Sequence, residues 1–495
     1  MKYISTRGNY KAVSGAEAIR LGMVPAGGLF VPEHIPEFTI RDIEKMQQED
    51  YQDIALKILQ EFLTDFNKNK LREAIYSAYY KKSFPPRDIT PLVKLDKNKY
   101  ILELWHGPTA AFKDLALQLM PYLLRQSIEK IKLDKEVVIL VATSGDTGKA
   151  ALEGFKDIPG IKVIVFFPAG GVSSIQKRQM VTTGGKNTSV VAVNGNFDDC
   201  QNAVKELFAD KEFNEYISEN GYQFSSANSI NWGRLVPQIV YYFVAYVELL
   251  KRGEINKGQP VDITVPTGNF GNILAAYYAY KMGLPVNRFI CASNENKILT
   301  DFLKTGVYDI NRDFKKTISP SMDILISSNL ERFLFVITAN NYNLINQWYN
   351  DLRTKGRFQI DDKTKEKIQK IFIGEYSDEK ETKDTIGRIK KELNYLPDPH
   401  TAVGIKAYEK YQKKNIDIPV IIASTASPYK FSRAVLESIK CNFNIDDEFD
   451  ILQELRKCTN TEIHRALKNL NKKEVKHSRV CKKDKIKDEI LDILQ

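Results

Sequence analysis

The segment LELWHGPTAAFKDLALQLMPYLL holds a lysine in a setting that suggests amine chemistry. Lys113 follows a Gly-Pro-Thr turn at 107–109 and Phe112, and an apolar-periodic run predicts a helix directly after it. Apolar surroundings disfavour an ammonium ion, so a lysine placed there can act as a nucleophile and form a Schiff base with a carbonyl. The alternative is a lysine that points to solvent or pairs with Asp114, since most lysines lie at the surface.

Two glycine-containing turns are candidate anion sites. In VPTGNFGN, Gly268 and Gly271 would let backbone N–H groups converge at the start of a helix, which suits a phosphate. In VATSGDTG, the hydroxyls of Thr143, Ser144 and Thr147 would serve a carboxylate or a phosphate. The alternatives are an ordinary tight turn and a helix entry capped by Ser144 or the aspartate near it.

Two further segments place polar side chains next to predicted elements. SANSINWGRL offers Asn228, Ser229 and Arg234 before a helix, and the arginine could form a charge-assisted fork to a phosphate. The alternative there is a set of capping residues and a surface arginine. ASTASPYKF places Thr425 and Ser427 just past a strand, where the alternative is a plain strand-to-helix turn.

Several other site classes are not supported. TSGDTGKA fails the P-loop pattern because Thr143 and Ala150 stand where a glycine and a hydroxyl residue are needed. No segment predicts a strand–GxGxxG–helix dinucleotide site. The 5 cysteines are odd in number, far apart and without a C-x-x-C pair, which argues against a disulfide framework and a metal site. We therefore expect a reducing cytoplasm and no bound metal.

The elements that must position these residues are strands alternating with helices. Short Val- and Ile-rich runs predict strands at 136–143, 162–169, 189–195, 262–268, 288–293 and 419–424. Such runs indicate an α/β fold with a largely parallel sheet buried on both faces. Ligands of such sheets bind beyond the carboxyl ends of the strands, and the turns described above follow three of these runs.

Together the segments resemble the threonine synthase family, which uses pyridoxal 5'-phosphate (PLP) and has the tryptophan-synthase-β-like fold, fold type II. The motifs occur in family order over nearly the whole chain: YISTRG, GLFVPEHIP, HGPTAAFKD, ATSGDTG, NSINWGRL, VPTGNFGN, DPHTAVG and ASTASPYKF. The long N-terminal domain and the FKD and SGDTG forms resemble the bacterial and fungal branch.

The resemblance implies a role for each candidate residue. Lys113 would form the internal aldimine with PLP and carry protons, and Thr425 would hydrogen-bond the pyridine nitrogen. The cofactor phosphate would be cradled by Gly268, Asn269, Phe270, Gly271 and Asn272. The substrate phosphate would be bound by Asn228, Ser229 and Arg234. The amino-acid end of the substrate, or its phosphate, would be lined by Thr143, Ser144 and Thr147.

Three positions depart from the family pattern. Asn272 stands where the phosphate loop often has aspartate, and a neutral amide would avoid repulsion with the phosphate. Ser427 replaces a frequent histidine, so any role of that histidine is open. Asp146 stands where wider fold relatives often carry asparagine near the PLP hydroxyl, so the partner of that hydroxyl is open as well.

The resemblance also implies the reaction: O-phospho-L-homoserine and water give L-threonine and phosphate. The alternative enzyme is a threonine-synthase-like phospho-lyase that releases a 2-oxo acid and ammonia. The alternatives from another class are a PLP-binding protein without turnover and a basic nucleic-acid-binding protein. We expect a small-molecule substrate, no nucleic-acid or membrane partner, and a monomer or homodimer.

The chain is expected to divide into an N-terminal domain, a catalytic body and a C-terminal tail. We expect an N-terminal domain at 1–92, with helices in SGAEAIRLG and DIALKILQEFLTDF and a loop at GGLFVPEHIPEF. The PLP-binding body would cover 93–464, with a peripheral insertion at about 294–390, and a basic tail would follow at 465–495.

The net charge is +10, and residues 465–487 hold ten basic and two acidic residues, so the rest of the chain carries only +2. The excess positive charge that could bind nucleic acid is thus confined to one stretch, and we expect that stretch to be a solvated helix or loose tail.

Overall fold

The structure is a computed structural model that describes residues 1–80, 83–84, 89–170, 172–412, 418–441 and 443–495. The strands are β1 (Tyr3–Ser5), β2 (Phe30–Pro32), β3 (Leu92–Asp96), β4 (Lys99–Glu103), β5 (Glu136–Ala142), β6 (Ile161–Pro168), β7 (Thr188–Asn194), β8 (Tyr222–Ser225), β9 (Val261–Pro266), β10 (Val286–Ser293), β11 (Val307–Asp309), β12 (Arg357–Gln359), β13 (Phe372–Tyr376), β14 (Val420–Ser424) and β15 (Arg479–Lys482).

The α-helices are α1 (Gly15–Leu21), α2 (Ile40–Lys45), α3 (Tyr51–Phe62), α4 (Lys68–Ala78), α5 (Lys113–Leu117), α6 (Met120–Ile131), α7 (Asp146–Phe155), α8 (Ser174–Val181), α9 (Phe197–Ala209), α10 (Lys211–Glu219), α11 (Trp232–Leu235), α12 (Pro237–Lys251), α13 (Gly271–Lys281), α14 (Ile298–Thr305), α15 (Leu330–Ile337), α16 (Tyr342–Lys355), α17 (Asp362–Gln369), α18 (Glu379–Leu393), α19 (Pro399–Gln412), α20 (Ser432–Ser438), α21 (Glu448–Thr459) and α22 (Ile486–Leu494). Short 3-10 turns cover Met46–Gln48, Pro320–Met322, Pro428–Phe431, Leu470–Lys472 and Lys483–Lys485.

Two mostly parallel sheets carry the fold. One has the strand order β13–β10–β9–β14–β4–β3, in which only the β3–β4 pair is antiparallel. The other has the order β15–β7–β6–β5–β8 and is parallel throughout. All six strands predicted from the Val- and Ile-rich runs are present, because such runs suit strands that are buried on both sides.

Helices cover both faces of each sheet. In β14, Ile421 belongs to the same apolar cluster as the residues of α13, whereas Ile422 packs with those of α19. In β5, Val137 clusters with α7 and Val138 with α9. Successive residues of a strand point to opposite faces, so these contacts put helices on both sides. The predicted α/β class is confirmed.

The N-terminal segment folds against the body and shares its core. The two predicted helices are confirmed as α1 and α3, and the Ser14 hydroxyl caps α1 by accepting from the Glu17 N–H at 3.2 Å. Phe62 of α3 packs against Trp232 of α11, with ring centroids 5.5 Å apart. The loop predicted at GGLFVPEHIPEF instead contains β2, which pairs antiparallel with β1. Flanking Gly and Pro residues conceal this three-residue strand in the sequence.

The predicted insertion at about 294–390 is peripheral only in part. It contains the antiparallel pair β11–β12 and helices α14 to α17, but it also contains β13. That strand pairs in parallel with β10 over Phe289↔Phe372 to Ser293↔Tyr376 and forms the edge of the six-stranded sheet. The segment therefore leaves the sheet and returns to it.

The predicted loose C-terminal tail is wrong for residues 479–494. β15 pairs in parallel with β7, and α22 buries Ile486, Ile490 and Leu494 in the cluster under the five-stranded sheet. These three residues recur at four-residue spacing and form one apolar helix face among many basic residues. The charge run is solvated, yet the segment that carries it completes the sheet.

A substitution in α22 tests whether this segment contributes to stability. Ile490→Ala should lower the free energy of unfolding by about 3 kcal/mol, because it leaves a cavity in a fully buried position. Val480→Ala is the matched control, since Val480 in β15 is 58% exposed and should cost less than about 0.5 kcal/mol. Urea unfolding followed by circular dichroism measures both. An equally small effect of both substitutions would mean that the tail is dispensable.

The cysteines differ from the expectation in one respect. Cys441 and Cys458 form a disulfide between the end of α20 and α21, whereas Cys200, Cys291 and Cys481 are free and buried. None of the helices in the described part of the chain combines the length and apolar character needed to cross a membrane.

Candidate active site

Lys113 occupies the first position of α5, after a turn that is bonded to the segment following β14. The Phe112 N–H donates to the Thr425 carbonyl over 2.9 Å, and the Ser427 N–H donates to the Ala110 carbonyl over 3.1 Å. These bonds place Lys113 and Thr425 on adjacent segments. Thr425 is itself buried.

The Lys113 side chain is only 16% exposed and does not pair with Asp114. Both carboxylate oxygens of Asp114 instead accept from Thr109, at 2.8 Å from its N–H and 2.6 Å from its hydroxyl. The carboxylate that faces the lysine amine is that of Asp146, whose Oδ2 lies 3.9 Å from Nζ. The alternative of a surface lysine is therefore wrong.

The surroundings of Lys113 keep its amine available for chemistry. Burial lowers the pKa of Lys113 to about 8; Asp146 opposes this shift, and the cations of Lys430 and Arg234 add to it. An ordinary lysine is almost fully protonated near neutral pH, whereas one with this pKa is partly unprotonated. The unprotonated amine can attack a carbonyl.

The glycine turn after β9 has the geometry of an anion site. The turn leads into α13, which begins at Gly271, and Phe270 at the N-cap adopts the left-handed conformation with φ of +59°. The first N–H groups of a helix have no partner within it, and they lie at the positive end of its dipole. The strand–turn–helix unit on which the predicted phosphate site depends is thus present, and phosphate binding there stays a prediction.

The two glycines of this turn serve different purposes. A Cβ on Gly268 would lie 2.7 Å from the Ser321 carbonyl oxygen, so packing alone requires glycine there. A Cβ on Gly271 would meet Asn329 Nδ2 at 3.4 Å, which is an ordinary contact. A Cβ would therefore fit at Gly271, and the packing of the protein does not itself require glycine there.

Asn272 makes a structural contact at the turn that the sequence alone does not show. Its Oδ1 accepts from the hydroxyls of Tyr241, at 2.8 Å, and Tyr242 on α12, while its Nδ2 is buried without a partner among the described residues. The side-chain oxygen therefore anchors the start of α13 to α12.

The segment that holds Ser229 meets this turn through Asn329, which follows a 3-10 turn of the insertion. Asn329 donates from Nδ2 to the Ser229 hydroxyl at 3.2 Å and from its N–H to the Asn269 carbonyl at 3.1 Å. Ser328 adds a bond to Asn269 Oδ1 at 3.1 Å. Two candidate phosphate sites are thereby joined. Asn228, one residue before Ser229, is half-buried.

Arg234 is a buried cation without a counter-ion among the described residues. It is 2% exposed, and its Nη1 donates to the Ala227 carbonyl at 2.6 Å while its Nε is buried without a partner in that part of the chain. Burial lowers its pKa to about 10. An unpaired buried charge costs free energy, so an anion that reached this guanidinium would be held strongly.

The Thr143–Thr147 turn is held by its own first residue. The Thr143 hydroxyl accepts from the N–H groups of Gly145 and Gly148 at 2.9 and 3.0 Å, so its oxygen is largely used within the turn. Ser144 is exposed and Thr147 is half-buried. Their hydroxyls are the more accessible donors of the three predicted residues.

Two residues that bind these segments together were not predicted. Lys430 is fully buried and lies 2.6 Å from Asp146 Oδ1. Arg332 is also fully buried, and it donates to the carbonyls of Phe30 and Ile230 and to Asn329. No local pattern could reveal these contacts, because each joins segments that are far apart in the sequence.

The site suits a ligand that combines a carbonyl with an anionic group. Among the described residues, Arg234 Nε, Asn272 Nδ2 and Ser427 Oγ are buried polar atoms without a partner. Leaving such atoms unpaired is costly, so these segments favour a polar ligand. An aldehyde would react with Lys113 and a phosphate would fit the start of α13; PLP contains both groups.

Three family models match successive parts of the chain. The family "Threonine synthase N terminus" matches residues 2–79, "Pyridoxal-phosphate dependent enzyme" matches 85–344, and "Threonine synthase, C-terminal" matches 401–488. The C-terminal match includes the whole basic stretch at 465–487, part of which forms β15 of the five-stranded sheet.

Individual relatives cover most of the chain. The human protein "Threonine synthase-like 1" is 43% identical over 86% of this chain, which spans 58% of that relative's own length. "Threonine synthase" of Saccharomyces cerevisiae is 38% identical over 92% of both chains. The crystal structure of PLP-bound threonine synthase from Brucella melitensis is similar over 100% of both chains, with a TM-score of 0.88 and 34% identity.

Proposed function

The chain belongs to the threonine synthase family of pyridoxal-phosphate-dependent enzymes, and we propose that it converts O-phospho-L-homoserine and water to L-threonine and phosphate. The observation that carries this proposal is that two buried cations belong to one site. Burial and the charge of Arg234 lower the pKa of Lys113, and Arg234 has no counter-ion among the described residues. The first group suits the cofactor's aldehyde, and the second suits an anionic substrate.

The residues that would hold the cofactor follow from the site geometry. PLP, when bound, supplies an electron sink for negative charge that develops next to the substrate's amino group. Lys113 would bind it covalently, and the N–H groups of Gly268–Asn272 would hold its phosphate. Thr425 would donate to or accept from the ring nitrogen, and a hydroxyl there need not keep that nitrogen protonated.

The remaining candidate residues would bind the substrate. Arg234 would pair with the substrate phosphate, supported by Asn228 and Ser229. Ser144 and Thr147 would hydrogen-bond the amino-acid end, and Thr143 would keep their turn in shape. The Lys113 amine, once free, would take a proton from Cα, release it, and then take one from Cβ, so that phosphate can leave Cγ. The two protons would return to Cγ and Cα, water would add its hydroxyl at Cβ, and the remaining proton of water would go to the released phosphate.

Product analysis tests the proposed function against its closest alternative. Purified protein with PLP and phosphohomoserine should give threonine and phosphate in equal amounts. Release of 2-oxobutyrate and ammonia without threonine would instead show a phospho-lyase. Because the relatives at 43% identity are named "Threonine synthase-like 1", the assay must distinguish this alternative from threonine formation.

Substitutions of the two glycines test the proposed phosphate turn. Gly268→Ala should lower the stability of the cofactor-free protein by about 1–3 kcal/mol, because its Cβ would collide with the Ser321 carbonyl. Gly271→Ala should change that stability by less than about 1 kcal/mol but weaken PLP binding about tenfold or more, since its Cβ would lie beside the N–H groups proposed to hold the phosphate. Thermal unfolding and fluorescence titration with PLP measure the two effects. Unchanged PLP affinity in Gly271→Ala would place the phosphate elsewhere.

We propose that the protein works in a reducing cytoplasm as a monomer or homodimer, without nucleic-acid or membrane partners. The three buried free thiols support the compartment. The disulfide between Cys441 and Cys458 opposes this assignment, because a reducing cytoplasm would convert it to two thiols. Alkylation of the protein in intact cells, followed by mass spectrometry of both cysteine peptides, tests this assignment.

A further inference from the structure

Lys430 is a buried cation that the proposed reaction does not use. It lies in the 3-10 turn Pro428–Phe431, directly after Ser427, and its side chain is 0% exposed. Its amine donates to the Thr109 carbonyl at 3.2 Å and lies 2.6 Å from Asp146 Oδ1. These two contacts occupy the amine within the protein, and the proposed reaction gives it no ligand. Burial of a charged amine costs free energy, which suggests that this charge acts on the groups around it.

Asp146 connects this cation to the candidate nucleophile. Its Oδ1 accepts from Lys430 and, at 2.9 Å, from Gln176 Nε2, whereas its Oδ2 lies 3.9 Å from Lys113 Nζ. One carboxylate is thus shared by two buried amines at unequal distances. The closer amine neutralises it, so the more distant amine can lose its proton without leaving Asp146 unpaired.

We propose that Lys430 is a positioning residue that, through Asp146, keeps the Lys113 amine in a readily deprotonated state. Lys430 touches neither substrate nor cofactor in this role. The proposal deepens the proposed function, because a lysine that must bind an aldehyde and then move protons has to lose and regain a proton near neutral pH.

The electrostatic environment agrees with this role. Burial would raise the pKa of Asp146, but Lys430 and Lys113 outweigh it and hold the pKa below its ordinary value. The charged groups that face Lys113 are Asp146 on α7, Lys430 after β14, Arg234 on α11 and Asp114 on α5. Of these, only Lys430 is in direct contact with the carboxylate that faces the amine.

Two substitutions should move the protonation of Lys113 in opposite directions. Lys430→Met leaves Asp146 to pair with Lys113 alone, so the Lys113 ammonium should become more stable. Asp146→Asn leaves two cations without the carboxylate between them, so that ammonium should become less stable. If Lys430 and Asp146 had purely structural roles, their substitutions would not shift the pKa of Lys113 in opposite directions.

Competitive acetylation of the full-length protein after removal of PLP measures this protonation directly. Mass spectrometry of the Lys113 peptide across neutral to alkaline pH gives the midpoint of amine reactivity, which we expect at about pH 8 in the unsubstituted protein. The midpoint should rise by about one pH unit in Lys430→Met and fall by about one in Asp146→Asn. The double variant should lie between them, because the two changes act on one network.

Lys149→Met is the matched control. Lys149 is another largely buried lysine on α7, but it pairs with Glu153 at 2.8 Å and does not appear among the charges that face Lys113. Its loss should leave the Lys113 midpoint unchanged. If Lys430→Met does not fold, the near-isosteric Asp146→Asn still tests the proposal.

The proposal is overturned if Lys430→Met and Asp146→Asn shift the midpoint in the same direction, or if Asp146→Asn leaves it unchanged or raises it. The measurement needs neither turnover nor bound cofactor. Failure of the proposed reaction would therefore appear in the product assay, and failure of this inference would appear only in the labelling midpoints.

Discussion

Lys113→Ala should abolish the visible absorbance of bound PLP and lower threonine formation by at least about 1,000-fold. The side chain is the buried amine of the site, so its removal takes away both the covalent attachment and the group that moves protons. Absorbance spectra of the purified variant and assays of threonine and phosphate measure the two losses.

The control for this variant is again Lys149→Met, which removes a buried lysine from α7 without touching the proposed site. It should keep the absorbance band and most of the activity. Lys113→Ala itself should remain folded, because it removes a charge whose burial is unfavourable. Full activity in Lys113→Ala would refute the assignment of the nucleophile.

Arg234→Met should lower kcat/KM for phosphohomoserine by about 100-fold, or ~3 kcal/mol. The reason is that the guanidinium has no counter-ion among the described residues and is free to pair with the substrate phosphate. The free energy of unfolding without substrate should change by less than about 1 kcal/mol, because relief of desolvation offsets the lost bond to the Ala227 carbonyl. Steady-state kinetics and urea unfolding measure the two quantities.

Arg125→Met is the matched control for Arg234→Met. Arg125 is a half-exposed arginine whose pair with Glu129 lies on the surface of α6. Its removal should leave kcat/KM and stability nearly unchanged. If Arg234→Met kept the original KM but unfolded readily, the arginine would serve the fold and the substrate phosphate would be bound elsewhere.

The parts of the fold that sequence could predict are those with a local physical cause. Six strands follow from continuous Val and Ile runs, and α1 follows from the Ser14 cap and the glycine at 22. Lys113 is recognisable because a lysine that opens an apolar helix is unusual. The phosphate turn is recognisable because a strand, two glycines and a helix are consecutive in the sequence.

The parts that sequence did not predict depend on contacts between distant segments. Lys430 lies in the segment ASTASPYKF, but its importance depends on its contact with Asp146, which lies 284 residues earlier in the chain. Arg332 joins three segments that have no shared pattern. The helix α22 had a visible apolar spacing, but the surrounding basic charge favoured a solvated tail. In each case pairing in three dimensions outweighed local composition.

The central claim is that this chain replaces the substrate phosphate with water at a different carbon, and heavy-oxygen water tests it most directly. With PLP and phosphohomoserine in that solvent, the proposed reaction puts solvent oxygen into the hydroxyl of threonine. The released phosphate should carry none, because its bond to Cγ breaks on the carbon side. Labelled phosphate together with homoserine would show simple phosphate hydrolysis and contradict the claim, as would 2-oxobutyrate formed in place of threonine.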